Sequence, residues 1–548
     1  MIKKILDITN SYYTLIFFII ISFSVSILEL ISTAMLISLA DFIQNETISI
    51  PEKIISFFSN FNMDIRENYN PSLKTTLFSI LLFFVSKNII ILILKKIQIN
   101  LIYLNQKTLS VKLLNIIFKT PFIEFNKKKP ESYVNIFLND ISQITNAGLS
   151  SIISLVNEGF IILILWSSLM FIYPSETLVI LLFYVPVTFI LTKLISNTSK
   201  FLGNKRQKFE LKILELLNSF LLSFKEVKIY NLGSDIVDDF SIIKTKAINI
   251  ASWNSLIQQL NKYIIEIQII VSVVIISTYL NYNIYEIKNF LIAFLFVSIK
   301  IIPSLSIFMT SFSNLKYAEA SYNMTSSTMS ELEKNKSSDT RFIRYKKNFN
   351  KIILEKVNFS YDSKIVIKDF SHTFEKDSRT LVIGKSGVGK STLMNLITGL
   401  IQPSKGFIYK SKSSNDLIAY CTQSPFIFNG SIGFNIALNS KVEYNKLNQI
   451  INICRLNNFV SSKKDGLDHV IINNGKDISG GQLKRIALAR ALYSDRKILL
   501  LDEVTNGLDS ETKHSIVKEL FKLKKTIIFI SHDEDLKKYF KNIINLNN

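Results

Sequence analysis

The stretch "GKSGVGKST" (384–392) follows the apolar run "TLVI" and opens the helix-compatible segment "LMNLITGL". At such a turn glycine has a chemical purpose. Without a side chain, the backbone N–H groups of Gly384, Lys385, Ser386, Gly387, Val388 and Gly389 can close around a phosphate. The spacing lets Lys390 reach the β- and γ-phosphates of a nucleotide. It also lets the Ser391 hydroxyl, with Thr392 beside it, ligate Mg²⁺. A second run, "KILLLDE" (497–503), ends in two acids. Asp502 suits the shell of Mg²⁺, and Glu503 suits polarisation of an attacking water. "TIIFISHDED" (526–535) delivers His532 to the end of a third apolar run, and "AYCTQSPFIFNGSI" (419–432) delivers Gln423 just after a fourth. One stretch is left over. "ISGGQ" (478–482) places Ser479, Gly480, Gly481 and Gln482 ahead of a helix, which makes a second cradle where one nucleotide needs only one.

These residues can converge only if the runs that carry them are parallel strands of one sheet. Ligands of such sheets sit beyond the carboxyl ends of the strands. The part of the chain from about 351 to 548, with runs of four to eight apolar residues, therefore reads as an α/β P-loop NTPase domain. The part before it is different. Of the 548 residues 48% are hydrophobic, 41 are Phe, and the long apolar runs fall between Ser11 and about Phe312. A bilayer core needs about 20 apolar residues per helix. Six membrane helices are expected at about 12–42, 73–98, 148–173, 176–196, 257–280 and 285–312, which makes residues 1–316 an α-helical membrane domain. Residues 317–350, polar and weakly patterned, are expected to be a helical extension and then a linker. "PEKIISFFSNFNMD" (51–64) reads equally as an interfacial helix or an ordinary packed loop helix.

The net charge of +21 does not point to nucleic acid. Lysine and arginine concentrate in the loops 99–147 and 197–256, while "YPSE" (173–176) has none. That asymmetry puts both long loops and both termini in the cytoplasm. The first apolar run is too long for the core of a cleavable signal peptide. The only cysteines, Cys421 and Cys454, have no metal-ligand spacing and read as reduced core thiols.

Taken in order, the P-loop, Gln423, "ISGGQ", "ILLLDE", "NGLD" and His532 resemble the nucleotide-binding domain of an ABC ATPase across residues 351–548. The resemblance answers the question of the second cradle. In that family two such domains pair head to tail, and each ATP lies between the P-loop of one and the signature loop of the other. Ser479, Gly480, Gly481 and Gln482 would then serve a partner's nucleotide. The partner is a second copy or a paralogous half-transporter. The resemblance further implies that Tyr361 stacks on adenine, and that Gln423 senses Mg²⁺ and couples to the membrane part. Glu503 and His532 become the catalytic carboxylate and switch histidine, and Asp509 belongs to the loop that crosses to the partner. The cofactors implied are ATP and Mg²⁺. Ile478, where leucine is usual, and Asn506 and Gly507, in "VTNGLD" rather than "ATSALD", depart from the pattern.

Six spans ahead of an ATPase resemble an exporter half-transporter in a bacterial inner membrane, with its ATPase domain in the cytoplasm. "SILELISTAMLISLADFI" (26–43) and "KIIPSLSIF" (300–308) resemble stretches of lipid-linked-oligosaccharide flippases. Lys300 becomes the candidate substrate contact, or it snorkels or pairs with a carboxylate such as Glu29, Glu158 or Glu266. The expected cargo is a lipid-linked oligosaccharide or another amphipathic lipid. The alternatives are a peptide or small hydrophobic molecule, or regulation of a partner without transport.

Overall fold

In the computed structural model the described residues are 1–9, 12–45, 48–49, 68–69, 73–279, 284–334, 343–346, 351–361, 364–411, 418–438, 442–472, 475 and 478–546. The helix expected at 51–64 lies outside them. The chain divides into two compact units. One is Met1–Thr120 with Glu124–Lys336, and the other is Pro121–Ile123 with Ser337–Asn548.

The first unit is helical: α1 (Ile2–Thr9), α2 (Tyr12–Asn45), α3 (Leu73–Lys119), α4 (Ser150–Ile172), α5 (Pro174–Leu222), α6 (Gly233–Tyr279) and α7 (Ile284–Lys334). Six helices among the described residues are long and apolar enough to cross a membrane. Four of them far exceed that need: α3 and α6 have 47 residues each, α5 has 49 and α7 has 51. At 1.5 Å per residue each is over 70 Å long, more than twice the hydrocarbon core of about 30 Å. The expected spans are the apolar portions of these helices. Much of the lysine-rich loops continues the helices rather than interrupting them. Two π-helical turns, Ile136–Asp140 and Gln143–Leu149, lead into α4.

The second unit is an α/β domain. Its first strands are β1 (Ile352–Tyr361), β2 (Lys364–Phe374) and β3 (Arg379–Ile383), followed by α8 (Lys390–Thr398), β4 (Lys405–Ser411) and β5 (Ile418–Cys421). After three short helices come α9 (Gly480–Tyr493), β6 (Ile498–Asp502), α10 (Ser510–Lys522), β7 (Thr526–Ile530) and β8 (Asn542–Asn545). One sheet has the order β8-β3-β7-β6-β5, and every pair in it is parallel. Successive side chains of a strand point to opposite faces. Accordingly Leu381, Leu499, Leu501, Ile527 and Phe529 enter one core, and Val382, Ile498, Leu500, Ile528 and Ile530 enter the other. Burial on both faces explains why these strands read as unbroken apolar runs. A second sheet pairs β1 antiparallel with β2 and β4. Its edge strand, Ile343–Lys346, pairs with β4 and comes from the stretch expected to be linker. The other end of that stretch is helical, because α7 continues to Lys334.

Lys410, on β4, is 2% exposed. Its Nζ donates to the Ile397 carbonyl at 2.6 Å, in the last turn of α8. A cation suits a helix carboxyl end. Burial nevertheless pulls its pKa down to about 8. The unfolded chain, with an ordinary lysine near 10.5, then binds the extra proton between those values, so stability rises with pH across that window. Relative to Lys410→Met, the wild-type protein should gain up to about 3 kcal/mol between pH 8 and 10.5 and show no such gain below pH 8. Calorimetry of the two full-length proteins over that range checks this.

Candidate functional site

The parallel register brings four strand ends to one edge. Asp502 pairs with Ile530, Ile530 with Val382, and Leu501 with Cys421. The residues that follow these ends are the glycine loop, Glu503, His532 and Gln423. Gly389, at the amino end of α8, has φ 108°, and a Cβ there would lie 2.8 Å from Val366 Cγ1. Lys390 folds back over the loop, and its Nζ donates to the carbonyls of Gly384 (2.8 Å) and Lys385 (2.9 Å). Burial lowers its pKa, while the nearby charges of Glu503 and Asp502 oppose that shift. A polyanion in the loop would add counter-charge to that of Glu503 and Asp502.

Asp502 is 4% exposed and accepts a hydrogen bond from Tyr420 Oη at 3.2 Å. Burial raises its pKa, and hydrogen bonds from Tyr420 and Ser391 oppose the rise. Asp502 and Ser391 are therefore neighbours. A carboxylate beside a hydroxyl is a hard oxygen pair of the kind Mg²⁺ takes while keeping several waters, so the residues present fit that ion.

Glu503 has three side-chain partners. Its Oε2 accepts from Gln423 Nε2 and from Asn506 Nδ2, each at 2.8 Å, and its Oε1 lies 3.0 Å from His532 Nε2. Its backbone sits at φ 50°, a left-handed conformation, and its N–H donates to Ile530 O at 3.1 Å. Nothing in the sequence signalled Tyr420 as a partner of Asp502. Asn506 stood out only as a departure from a pattern.

The second glycine pair is built differently. Ser479 and Gln482 form a reciprocal cap at the start of α9: the Gln482 N–H donates to Ser479 Oγ (3.3 Å) and the Ser479 N–H to Gln482 Oε1 (3.1 Å). A Cβ on Gly481 would lie 3.0 Å from Leu508 Cδ2, whereas one on Gly480 would meet nothing within 4 Å. Asp509 caps α10, where its Oδ2 accepts from the Thr512 N–H at 2.8 Å. That bond holds its carboxyl below the usual range. Tyr361, at the end of β1, is 43% exposed and packs edge-on against Phe359 at 4.8 Å. Cys421 and Cys454 are 2% and 0% exposed. Burial pushes the Cys421 thiol up to about 12 and the Cys454 thiol up as well, so neither forms a reactive thiolate near neutrality.

A sequence profile described as "ABC transporter" matches residues 367–506. The ATP-dependent lipid A-core flippase of Blochmanniella pennsylvanica (strain BPEN) is 27% identical over 441 residues, 76% of this chain and 74% of that protein. Residues 367–506 are thus an ABC transporter domain, set behind six candidate membrane spans. The lactococcin-G-processing and transport ATP-binding protein LagD of Lactococcus lactis subsp. lactis is 37% identical over 210 residues; the match spans 36% of this chain and only 30% of that protein. The fold of the chain is that of a bacterial Atm1-family ABC exporter solved with ATP bound. The TM-score is 0.72 at 16% identity, over 98% of this chain and 93% of the other.

In the helical unit, Lys300 lies on α7, three residues before Pro303. Of the three carboxylates that could pair with it, Glu29 does, at 2.9 Å. Glu29 is shared. Both its oxygens lie 3.0 Å from Nζ of Lys87 on α3, which is 2% exposed and also approaches Ser32 Oγ at 3.3 Å. Glu158 instead accepts from Asn157 Nδ2 at 3.0 Å, and Glu266 pairs with Lys262 at 3.8 Å. Two cations thus share one carboxylate, and Lys300 is the more exposed of the two.

Back at the nucleotide site, Gly389→Ala would strain the backbone and press on Val366. The expected cost is about 1–3 kcal/mol, with loss of nucleotide binding. Titration with a fluorescent ATP analogue, beside the melting temperature, checks both.

Proposed function

We propose that the protein is an ATP-driven exporter or flippase that works as a pair of half-transporters and moves an amphipathic, anionic lipid such as a lipid-linked oligosaccharide. One observation supports this above the rest: Lys390, Ser391, Asp502, Glu503, Gln423 and His532 meet at one sheet edge of a chain with six candidate membrane spans. ATP would occupy the loop 384–392, with Tyr361 against its base. Mg²⁺, held by Ser391, Asp502 and Gln423, would neutralise phosphate charge. Glu503 orients and deprotonates the attacking water, and His532 contacts the γ-phosphate. Ser479, Gly480, Gly481 and Gln482 close over the partner's nucleotide, and Asp509 lies on the loop that crosses to it.

A lipid cargo is favoured by the reach of the flippase similarity. Its 441 aligned residues exceed the 198 residues of 351–548, so it includes membrane-spanning sequence. The three-charge cluster supports the same choice. A charge at mid-bilayer costs roughly 2.5–3.5 kcal/mol. Glu29 offsets one of the two lysines, and a phosphate on the cargo would offset the other at Lys300. The cycle runs on differential affinity, with ATP bound more tightly to the closed pair than to the open one. The membrane is a bacterial inner membrane in this reading, with both termini and the ATPase domain in the cytoplasm.

The deciding experiment reconstitutes the full-length protein in liposomes and measures ATP hydrolysis and lipid flipping with and without a polyprenyl-pyrophosphate glycolipid. Hydrolysis that rises with the glycolipid, together with flipping, is expected. Hydrolysis indifferent to every lipid but raised by a peptide would overturn the cargo. Lys300→Met should abolish the glycolipid stimulation while Glu29 keeps its bond to Lys87. Glu503→Gln should bind ATP, accumulate a closed dimer and lower turnover by about 10²-fold or more; retained turnover would contradict the role given to Glu503. Gly480→Ala, whose added methyl meets nothing in its own chain, should leave the melting temperature unchanged and still reduce hydrolysis.

A further inference from the structure

Glu503 follows β6 and opens a tight turn. The Asn506 N–H donates to Glu503 O at 3.2 Å, and the Asn506 side chain returns to the carboxylate at Oε2 (2.8 Å). Lys484, on the first turns of α9, joins this turn from outside. Its Nζ donates to Glu503 O (3.3 Å) and Asn506 O (3.2 Å), and among the described residues it makes no ion pair. The start of α9 also packs on the same loop, through Gly481 against Leu508. A left-handed non-glycine residue costs about 1–3 kcal/mol and persists only where its surroundings over-determine it. Here the surroundings are Ile530 O on one side and Lys484 with Asn506 on the other.

We infer that Lys484 and Asn506 are positioning residues for Glu503. Lys484 clamps the two carbonyls of the turn, and Asn506 orients the carboxylate that the turn presents. The inference rests on the reading of Glu503 as the carboxylate that acts on water. Its consequence is mechanical. The helix whose amino end would face a partner's nucleotide is fastened to the loop that carries this chain's own carboxylate. Asparagine suits the task because its amide reaches Oε2 from position 506 and adds no second negative charge. Lysine suits it because one ammonium carries three donors on a long stem.

The test is a double-mutant cycle on the full-length protein in nanodiscs. Asn506→Ala and Lys484→Met should each lower kcat about tenfold and leave the KM for ATP within about twofold. The double variant should be no slower than the slower single one, because both break one linkage. Lys484→Arg, able to bridge two carbonyls, should recover most of the rate. Asn506→Asp should be slower than Asn506→Ala at pH 8 and recover in part toward pH 6, where the added carboxyl begins to protonate. Melting temperature and ATP-analogue binding are measured alongside. Should Lys484→Met or Asn506→Ala fail to fold, Lys484→Gln and Asn506→Ser carry the same cycle. Wild-type kcat in either single variant, losses that multiply in the double variant, or a change confined to KM would each overturn the inference. Glu503→Gln separates the two readings: full turnover there removes the role of Glu503 itself, whatever the cycle gives.

Discussion

Every chemical feature of the second unit depends on the parallel register of its central sheet. Because β3, β7, β6 and β5 run the same way, their carboxyl ends share an edge, and whatever follows each strand is delivered to one place. The strands can be parallel because they are buried on both faces, one against helices and the other against α8 and the second sheet. The sheet therefore does two jobs with the same residues. Its alternating side chains build two cores, and its ends bring a glycine loop, two acids, a glutamine and a histidine together. A slip of one residue between β6 and β7 would exchange the faces of either strand and move Asp502 away from Ile530. The position of the site is thus enforced by the core and not by the site's own hydrogen bonds.

The membrane unit solves a different problem. Hydrocarbon cannot solvate an ammonium, so a lysine within a span must snorkel or pair. Lys87 does neither alone. It lies within "FFVSKNIIILIL", almost without exposure, and survives because Glu29 on another helix meets it with both oxygens. Lys300 then leans on a carboxylate that is already engaged. The arrangement ties α2, α3 and α7 together, with two ammonium groups on one carboxylate.

The sequence made much of this visible and hid the rest for physical reasons. The glycine loop, Asp502, Glu503, Gln423 and His532 were legible because backbone chemistry at a strand end restricts residue type and spacing together. The six spans were legible from apolar length. Their true extent was not, since residues 197–222 of α5 are too polar to register as span and carry no proline, and Gly203 within them does not end the helix. Lys410 was invisible. In "YKSKSS" it reads as a surface lysine, and only the crossing of β4 beneath α8 buries it. The partner of Lys300 remained a choice among three carboxylates, because pairing between helices is set by helix rotation and tilt, which hydropathy does not encode. Asn506 was noticed as unusual, but its purpose depends on a turn at Glu503 that no propensity scale anticipates.

The reciprocal cap at Ser479 and Gln482 lets the amino end of α9 form from its own residues. A helix amino end leaves four N–H groups without intrahelical partners. In α9 the Ser479 and Gln482 side chains satisfy two of them within the chain, so the helix does not need a ligand in order to form. Gly480 and Gly481 lie between those two positions. Their lack of side chains has separate causes: Gly481 must let Leu508 approach, whereas nothing in its own chain crowds Gly480. The amino end of a capped helix, with its partial positive charge, is suited to receive a phosphate held by another molecule. The same helix grips the Glu503 turn through Lys484, so a ligand that draws the amino end of α9 forward would also pull on the loop that holds the carboxylate.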